Sequence, residues 1–207
     1  MTVVDLPPEL PDPAEAAAED TEGAQPPEDA RQESTTAAPE VDFDVFALSQ
    51  SWPATGCYVL RKNYPNKCCN LPDELQWTIH GLWPNKLNTM NPQFCSHDHR
   101  FNMTLLAGMK TELETHWRSY DGSKPSTSFW MYQWNKHGTC AKDVERLSTL
   151  EKYFETGLQV FKDHNMNDLF VTAGLKKGGQ YQVDTIINSL SIGLNGKKPM
   201  VTCIYNP

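Results

Sequence analysis

The first forty residues of this chain contain no aromatic residue, and that absence fixes where a fold can be built. They carry seven of the fifteen prolines, eight alanines and eleven acidic residues against a single base, Arg31. Such a segment cannot bury enough apolar surface to offset its ordering entropy, so residues 1–41 are predicted to be a disordered, acidic, Pro/Ala-rich tail. Residues 42–207 hold all the aromatic side chains and all six cysteines, and form the one folded domain.

The same division changes the meaning of the charge. The chain of 207 residues carries a formal −8, which taken whole argues against a polyanionic partner. The tail alone carries −10, leaving seventeen bases and fifteen acids in the domain. A nucleic-acid substrate is therefore open to it. No run approaches the roughly 18 to 20 apolar residues of a membrane span. Six cysteines in a chain of this length are too sparse for a disulfide miniprotein.

Met1 to Leu10 offers no basic start followed by an apolar run, so no export signal is visible in this chain. Yet Cys57, Cys68, Cys69, Cys95, Cys140 and Cys203 form an even set without a Cys-x-x-Cys pair, and Asn102-Met103-Thr104 is a glycosylation acceptor triplet. Both favour an oxidising compartment, hence a secreted or lysosomal/endosomal protein whose signal is missing from this chain.

Phe43 to Trp52 alternates as a strand with one more apolar face, ended by Pro53 and Gly56. Residues 57–75 read as a loop, and Gln76 to Pro84 as a second, β-branched and aromatic strand. Leu106, Met109, Leu113 and Trp117 predict an amphipathic helix over 103–118. Leu147, Leu150, Phe154, Leu158 and Phe161 mark a further periodic segment, and Val183, Ile186, Ile187 and Leu190 another. Lys198 to Tyr205 reads as a last strand. Strands interspersed with helices, without regular βαβ alternation or a phosphate-binding glycine loop, predict an α+β domain.

Two segments concentrate His, aromatic and small residues: Trp77-Thr78-Ile79-His80-Gly81-Leu82-Trp83-Pro84-Asn85 and Ser128-Phe129-Trp130-Met131-Tyr132-Gln133-Trp134-Asn135-Lys136-His137-Gly138-Thr139-Cys140. If the second is helical, Gln133 and His137 share a face, Tyr132 and Lys136 the adjacent one, Trp130 and Trp134 point to the core, and Gly138 stops the helix. An imidazole, an ammonium and an amide then meet near a helix C-terminus. Those groups suit a phosphodiester: His moves protons near neutral pH, and Lys and an amide hold the non-bridging oxygens as charge develops. Either segment alone is better read as core aromatics with hydrogen-bonded histidines.

Together they resemble the two active-site signatures of the ribonuclease T2 family. Ile79 to Pro84 is similar to the first, position by position, and Trp134 to Cys140 to the second. The resemblance runs from about Phe43 to Cys203. It implies a T2-like fold with an antiparallel sheet core packed by several helices, and a C-terminal part that looks truncated. It also implies an endoribonuclease that cleaves single-stranded RNA by transphosphorylation to a 2′,3′-cyclic phosphate, with no cofactor and no metal. By position, His137 resembles the general base for the ribose 2′-hydroxyl, His80 the general acid for the leaving 5′-oxygen and Lys136 the phosphate-stabilising lysine. Trp83 matches a base-site aromatic, with Pro84 beside it. The expected partner is RNA rather than DNA, because the nucleophile is the 2′-hydroxyl, and the protein is expected to be a monomer.

One departure stands out. The family's second motif usually places His-Glu before the Trp, where this chain has Tyr132-Gln133. Gln133 keeps a hydrogen-bonding side chain but loses the charge, so the imidazolium forms of His80 and His137 lose a stabilising neighbour and their pKa values should fall. Tyr132 can still donate one hydrogen bond to phosphate. The expectation is an active but slowed enzyme. The alternative is a T2-like RNA-binding or immunomodulatory secreted protein with little catalysis.

Cys95-Ser96-His97-Asp98-His99 has zinc-ligand residue types but no evident fourth ligand. The resemblance instead pairs Cys95 with Cys140. Cys57 is expected to pair with Cys68 or Cys69, leaving the other and Cys203 over, with the family's partner for Cys203 further on in sequence. His116 and His164 are expected on helix surfaces.

Overall fold

The computed structural model describes residues 42–89 and 91–204, so the tail expected at 1–41 lies outside the described residues. Two antiparallel strands, β1 (Val45–Ser51) and β2 (Thr78–Asn85), pair from Val45 opposite Asn85 to Ser51 opposite Thr78. Six α-helices accompany them among the described residues: α1 (Pro53–Asn63), α2 (Lys110–His116), α3 (Ser126–Lys136), α4 (Leu150–Asp163), α5 (Met166–Thr172) and α6 (Val183–Gly193). The α+β class holds, but among the described residues the sheet has two strands, and helices supply most of the core.

Pro53 does end β1, and it also starts α1. A proline at the first helical position gives up an N–H that has no intrahelical partner anyway. The segment from Cys57 to Asn63, expected as loop, is therefore helical. β1 is buried from Val45 to Gln50, so the expected alternation of faces is lost. The polar Gln50 is accommodated because its amide donates to His164 O at 2.8 Å and accepts from Met166 N at 3.1 Å, tying β1 to the α4–α5 turn.

The helix expected over 103–118 is two elements. Met103–Met109 is a 3₁₀ helix, and its three-residue period sets Met103, Leu106 and Met109 on one edge against the core. Leu113 and Trp117 then follow at α spacing. α4 buries Leu150, Phe154, Leu158 and Phe161 as the periodicity predicts, with Thr149 capping its N-terminus. Leu147 is buried one short 3₁₀ turn earlier. The centre is aromatic: Trp117, Trp130, Trp134, Tyr153, Phe154 and Phe161 are all within 2% of full burial. Gly157 lets α4 approach Trp117, since a Cβ there would lie 2.4 Å from the indole. The Trp130 indole donates to Trp117 O at 2.6 Å, and the Tyr153 hydroxyl to Leu82 O at 2.7 Å, which fixes β2 to α4.

Lys198 to Ile204 forms no strand. A strand needs a hydrogen-bonded partner, and this segment instead contributes Met200 to Ile204 to a cavity wall. α5, which the periodicity did not show, packs with α6 through Met166, Leu175 and Leu190. His116 and His164 are half-buried rather than on the surface. His116 lies 5.4 Å from the Phe161 ring, and burial there lowers its pKa. His164 caps α4.

Two disulfides close, Cys57–Cys69 and Cys95–Cys140, while Cys68 and Cys203 are exposed thiols. Among the described residues no helix is long and apolar enough to cross a membrane, and no three His, Cys, Asp or Glu side chains gather as metal ligands. Asn102 is exposed and caps the 3₁₀ helix, its side-chain oxygen accepting from Thr104 N at 3.0 Å.

Candidate active site

The pairing of β1 with β2 slips at one point. Ser49 faces Gly81 and Gln50 faces Ile79, so His80 is the extra residue of a β-bulge. Bulges re-aim a side chain out of the ladder, and here the His80 imidazole reaches an open cavity of about 810 Å³ with Trp83 and Phe129 in its wall. The His80 carbonyl still finds a donor in the Trp117 indole at 3.3 Å. His80 remains exposed at the cavity, but the surrounding protein partly desolvates its ring and the Lys136 cation acts in the same direction, so its pKa lies below the ordinary imidazole value.

His137 is placed differently. α3 ends at Lys136, and His137 is its C-cap, with its backbone N–H donating to Gln133 O at 2.9 Å. Gly138, expected as the helix stop, instead begins a 3₁₀ turn, where a Cβ would lie 2.3 Å from the Trp134 ring. The His137 imidazole is only 4% exposed, and its Nδ1 has no hydrogen-bond partner among the described residues. Burial, reinforced by Lys136 and His80, holds its pKa down to about 3. At ordinary pH this is a neutral imidazole, able to accept a proton. Both histidines are lowered by desolvation first and by neighbouring positive charge second.

Trp83 connects the two. Its ring stacks on His137 at 5.0 Å and 23°, and meets His80 edge-on at 5.4 Å and 77°. The indole N–H donates to Gln133 Oε1 at 3.0 Å in the buried interior. Gly81 makes this possible, because a Cβ there would fall 2.0 Å from Trp83 Nε1 and 2.4 Å from Gln133 Oε1. Gln133 and His137 are thus joined through Trp83, and the Gln133 carbonyl faces the indole. Pro84 is buried within β2 opposite Phe46.

On the outer side of α3, Lys136 Nζ donates to Tyr132 Oη at 3.1 Å and makes no ion pair among the described residues. Tyr132 is exposed, and Phe94 stands edge-to-face with it at 6.3 Å. The Cys95–Cys140 disulfide pins the loop carrying Phe94 to the end of the second motif. Phe129, 6.0 Å from His80, and Phe94 were not singled out from sequence. The helical step from Phe129 to Gln133 could have found the first; Phe94 carries no local signal beyond its place before Cys95.

A family model described as the Ribonuclease T2 family matches residues 43–207. The chain is 33% identical over 166 residues to Ribonuclease T2 of Sus scrofa, covering 79% of this chain and 76% of that protein. It is 32% identical over 165 residues to Ribonuclease T2 of Homo sapiens, covering 79% of this chain and spanning 60% of the human relative's length. Among solved structures, RNase NT in complex with 5′-AMP superposes with a TM-score of 0.61 at 29% identity over 73% of each chain. An RNase-related protein from Calystegia sepium gives 0.64 at 26% identity, over 78% of this chain and 80% of that one. With both histidine motifs folded about one tryptophan inside the matched region, the chain belongs to the ribonuclease T2 family.

Proposed function

We propose that this chain is an endoribonuclease acting on single-stranded RNA by transphosphorylation through a 2′,3′-cyclic phosphate. The observation that carries the reading is the arrangement of His80 and His137 on two sides of Trp83, with the Lys136 ammonium at the end of the same helix. His137, neutral by burial, takes the proton of the ribose 2′-hydroxyl as that oxygen attacks phosphorus. His80, open to the cavity, gives a proton to the departing 5′-oxygen. Lys136 and the Tyr132 hydroxyl hold the non-bridging oxygens as charge builds in the transition state. Gln133 acts by fixing Trp83 against His137. DNA lacks the 2′-hydroxyl nucleophile and is not cleaved by this route.

Tyr132 and Gln133, in place of the His-Glu pair, favour a second reading: a T2-like protein that binds RNA in a secreted, immunomodulatory role with little turnover. One assay separates them. Purified protein is incubated with RNA in EDTA, and products are examined for cyclic-phosphate ends, with His137→Ala as control. Cyclic ends that vanish in the control support the enzyme. Binding without cleavage decides for the second reading, and cleavage abolished by EDTA refutes a mechanism run by side chains alone. The two disulfides and the exposed Asn102 acceptor support residence in the secretory route, outside the cell or in lysosomes.

A further inference from the structure

The aromatic corner on the outer side of α3 has no part in the core. Phe94 is 48% exposed and Tyr132 47%, with their rings 6.3 Å apart and 74° to one another. Two perpendicular rings offer a face and an edge together, which is how a third flat ring packs against an aromatic pair. Phe94 also adopts φ 53°, a left-handed conformation that is uncommon for a bulky residue and persists only where its surroundings enforce it. Here the enforcement is visible: Phe94 N–H donates to Lys136 O at 2.9 Å, and the next residue is tied to Cys140 by the disulfide. The Lys136 ammonium sits 5.3 Å from the Tyr132 ring centroid.

We propose that Phe94 and Tyr132 form a stacking subsite for a nucleobase of the RNA strand, next to the phosphodiester held by Lys136. Lys136, which makes no ion pair among the described residues, makes a polyanionic strand a better occupant than an apolar peptide. Tyr132 stands where the resembled motif usually carries His, so its ring adds a stacking face that an imidazole at this position would offer less fully. A stacked base neighbouring the reacting phosphate would add affinity with little base selectivity, because every base presents a π-face. This inference rests on the ribonuclease reading, so its test must be independent of turnover.

Binding of a fluorescent 2′-O-methyl oligonucleotide of about eight residues, which cannot be cleaved, is measured by anisotropy for the parent protein, Phe94→Ala, Phe94→Leu and Phe94→Trp. Phe94→Ala and Phe94→Leu should each weaken binding by about five- to a hundredfold, while Phe94→Trp retains it. Comparing Leu with Ala separates a π-face from mere apolar bulk, and unchanged melting temperatures establish that each variant folds. An oligonucleotide abasic throughout should bind parent and Phe94→Ala alike. If parent and Phe94→Ala bind the intact oligonucleotide equally, the subsite is refuted while the ribonuclease reading stands. If the parent neither binds this oligonucleotide nor cleaves RNA, both fall.

Discussion

The Trp83 indole lies against the His137 imidazole at 5.0 Å and 23°, and is held there by its N–H bond to Gln133. The stacking keeps water from one face of the imidazole, which is why the ring is desolvated. The bond makes Gln133, four residues before His137 on the same helix, a structural partner of the first motif.

Gln133→Ala should leave the buried indole N–H unsatisfied and cost about 1–3 kcal/mol, read as a lower melting temperature. Gln133→Glu keeps an acceptor and places a carboxylate near the two imidazoles that flank Trp83. Combined with Tyr132→His it should raise kcat within the roughly 10²–10⁴-fold range of acid–base effects. It should also move the pH optimum upward, because the new charge stabilises both imidazolium forms. Unchanged turnover in the double variant would sink the proposal that Tyr132 and Gln133 slow the site.

The two lowered histidine pKa values predict an acid-leaning rate profile. In the proposed roles His137 works as the neutral base, the form it holds above about pH 3, and His80 as the protonated acid, the form it holds only below its lowered value. Activity should therefore rise as pH falls from neutral and decline as His137 protonates. Stability runs the other way. A histidine buried neutral in the folded state binds its proton more readily when unfolded, so its contribution is full above the unfolded value near 6.5 and is lost as pH falls toward 3. Chemical denaturation across that window should show falling stability, and His137→Phe should flatten the trend.

Gly81→Ala should be among the most damaging single-methyl additions in the chain. The added Cβ would overlap both the Trp83 nitrogen and its Gln133 acceptor. Overpacking of this kind costs about 1–3 kcal/mol. Loss of cleavage with altered tryptophan fluorescence would report that Trp83 has moved.

Removing Cys95–Cys140 by a double Cys→Ser change opens a loop of 45 residues and should cost about 4 kcal/mol. Cys57–Cys69, spanning 12 residues, should cost about 3 kcal/mol. Only the first should also weaken RNA binding, since it alone anchors the segment beside Lys136. Equal effects on binding would argue against that anchoring role.

Much of the core was legible because burial leaves a period. Leu150, Phe154, Leu158 and Phe161 read correctly from spacing, as did Trp130 and Trp134. The failures share a cause: they depend on what lies opposite. Pro53 cannot show from its neighbours that it starts a helix as well as ending a strand, and 198–204 has strand propensity without a strand to pair with. His80, His137, Lys136 and Gln133 were singled out from sequence. The bond between Gln133 and Trp83 was not, because it joins residues fifty positions apart.

The bulge at His80 also sets the sheet against the chemistry. Deleting that single residue would bring Gly81 and Ile79 into unbroken register with Ser49 and Gln50, yielding a more regular ladder and a protein without the imidazole proposed as its general acid. On the proposed roles, the best-ordered version of this strand pair is an inactive one, and a screen for thermostability alone, applied to β2, would select against the reaction.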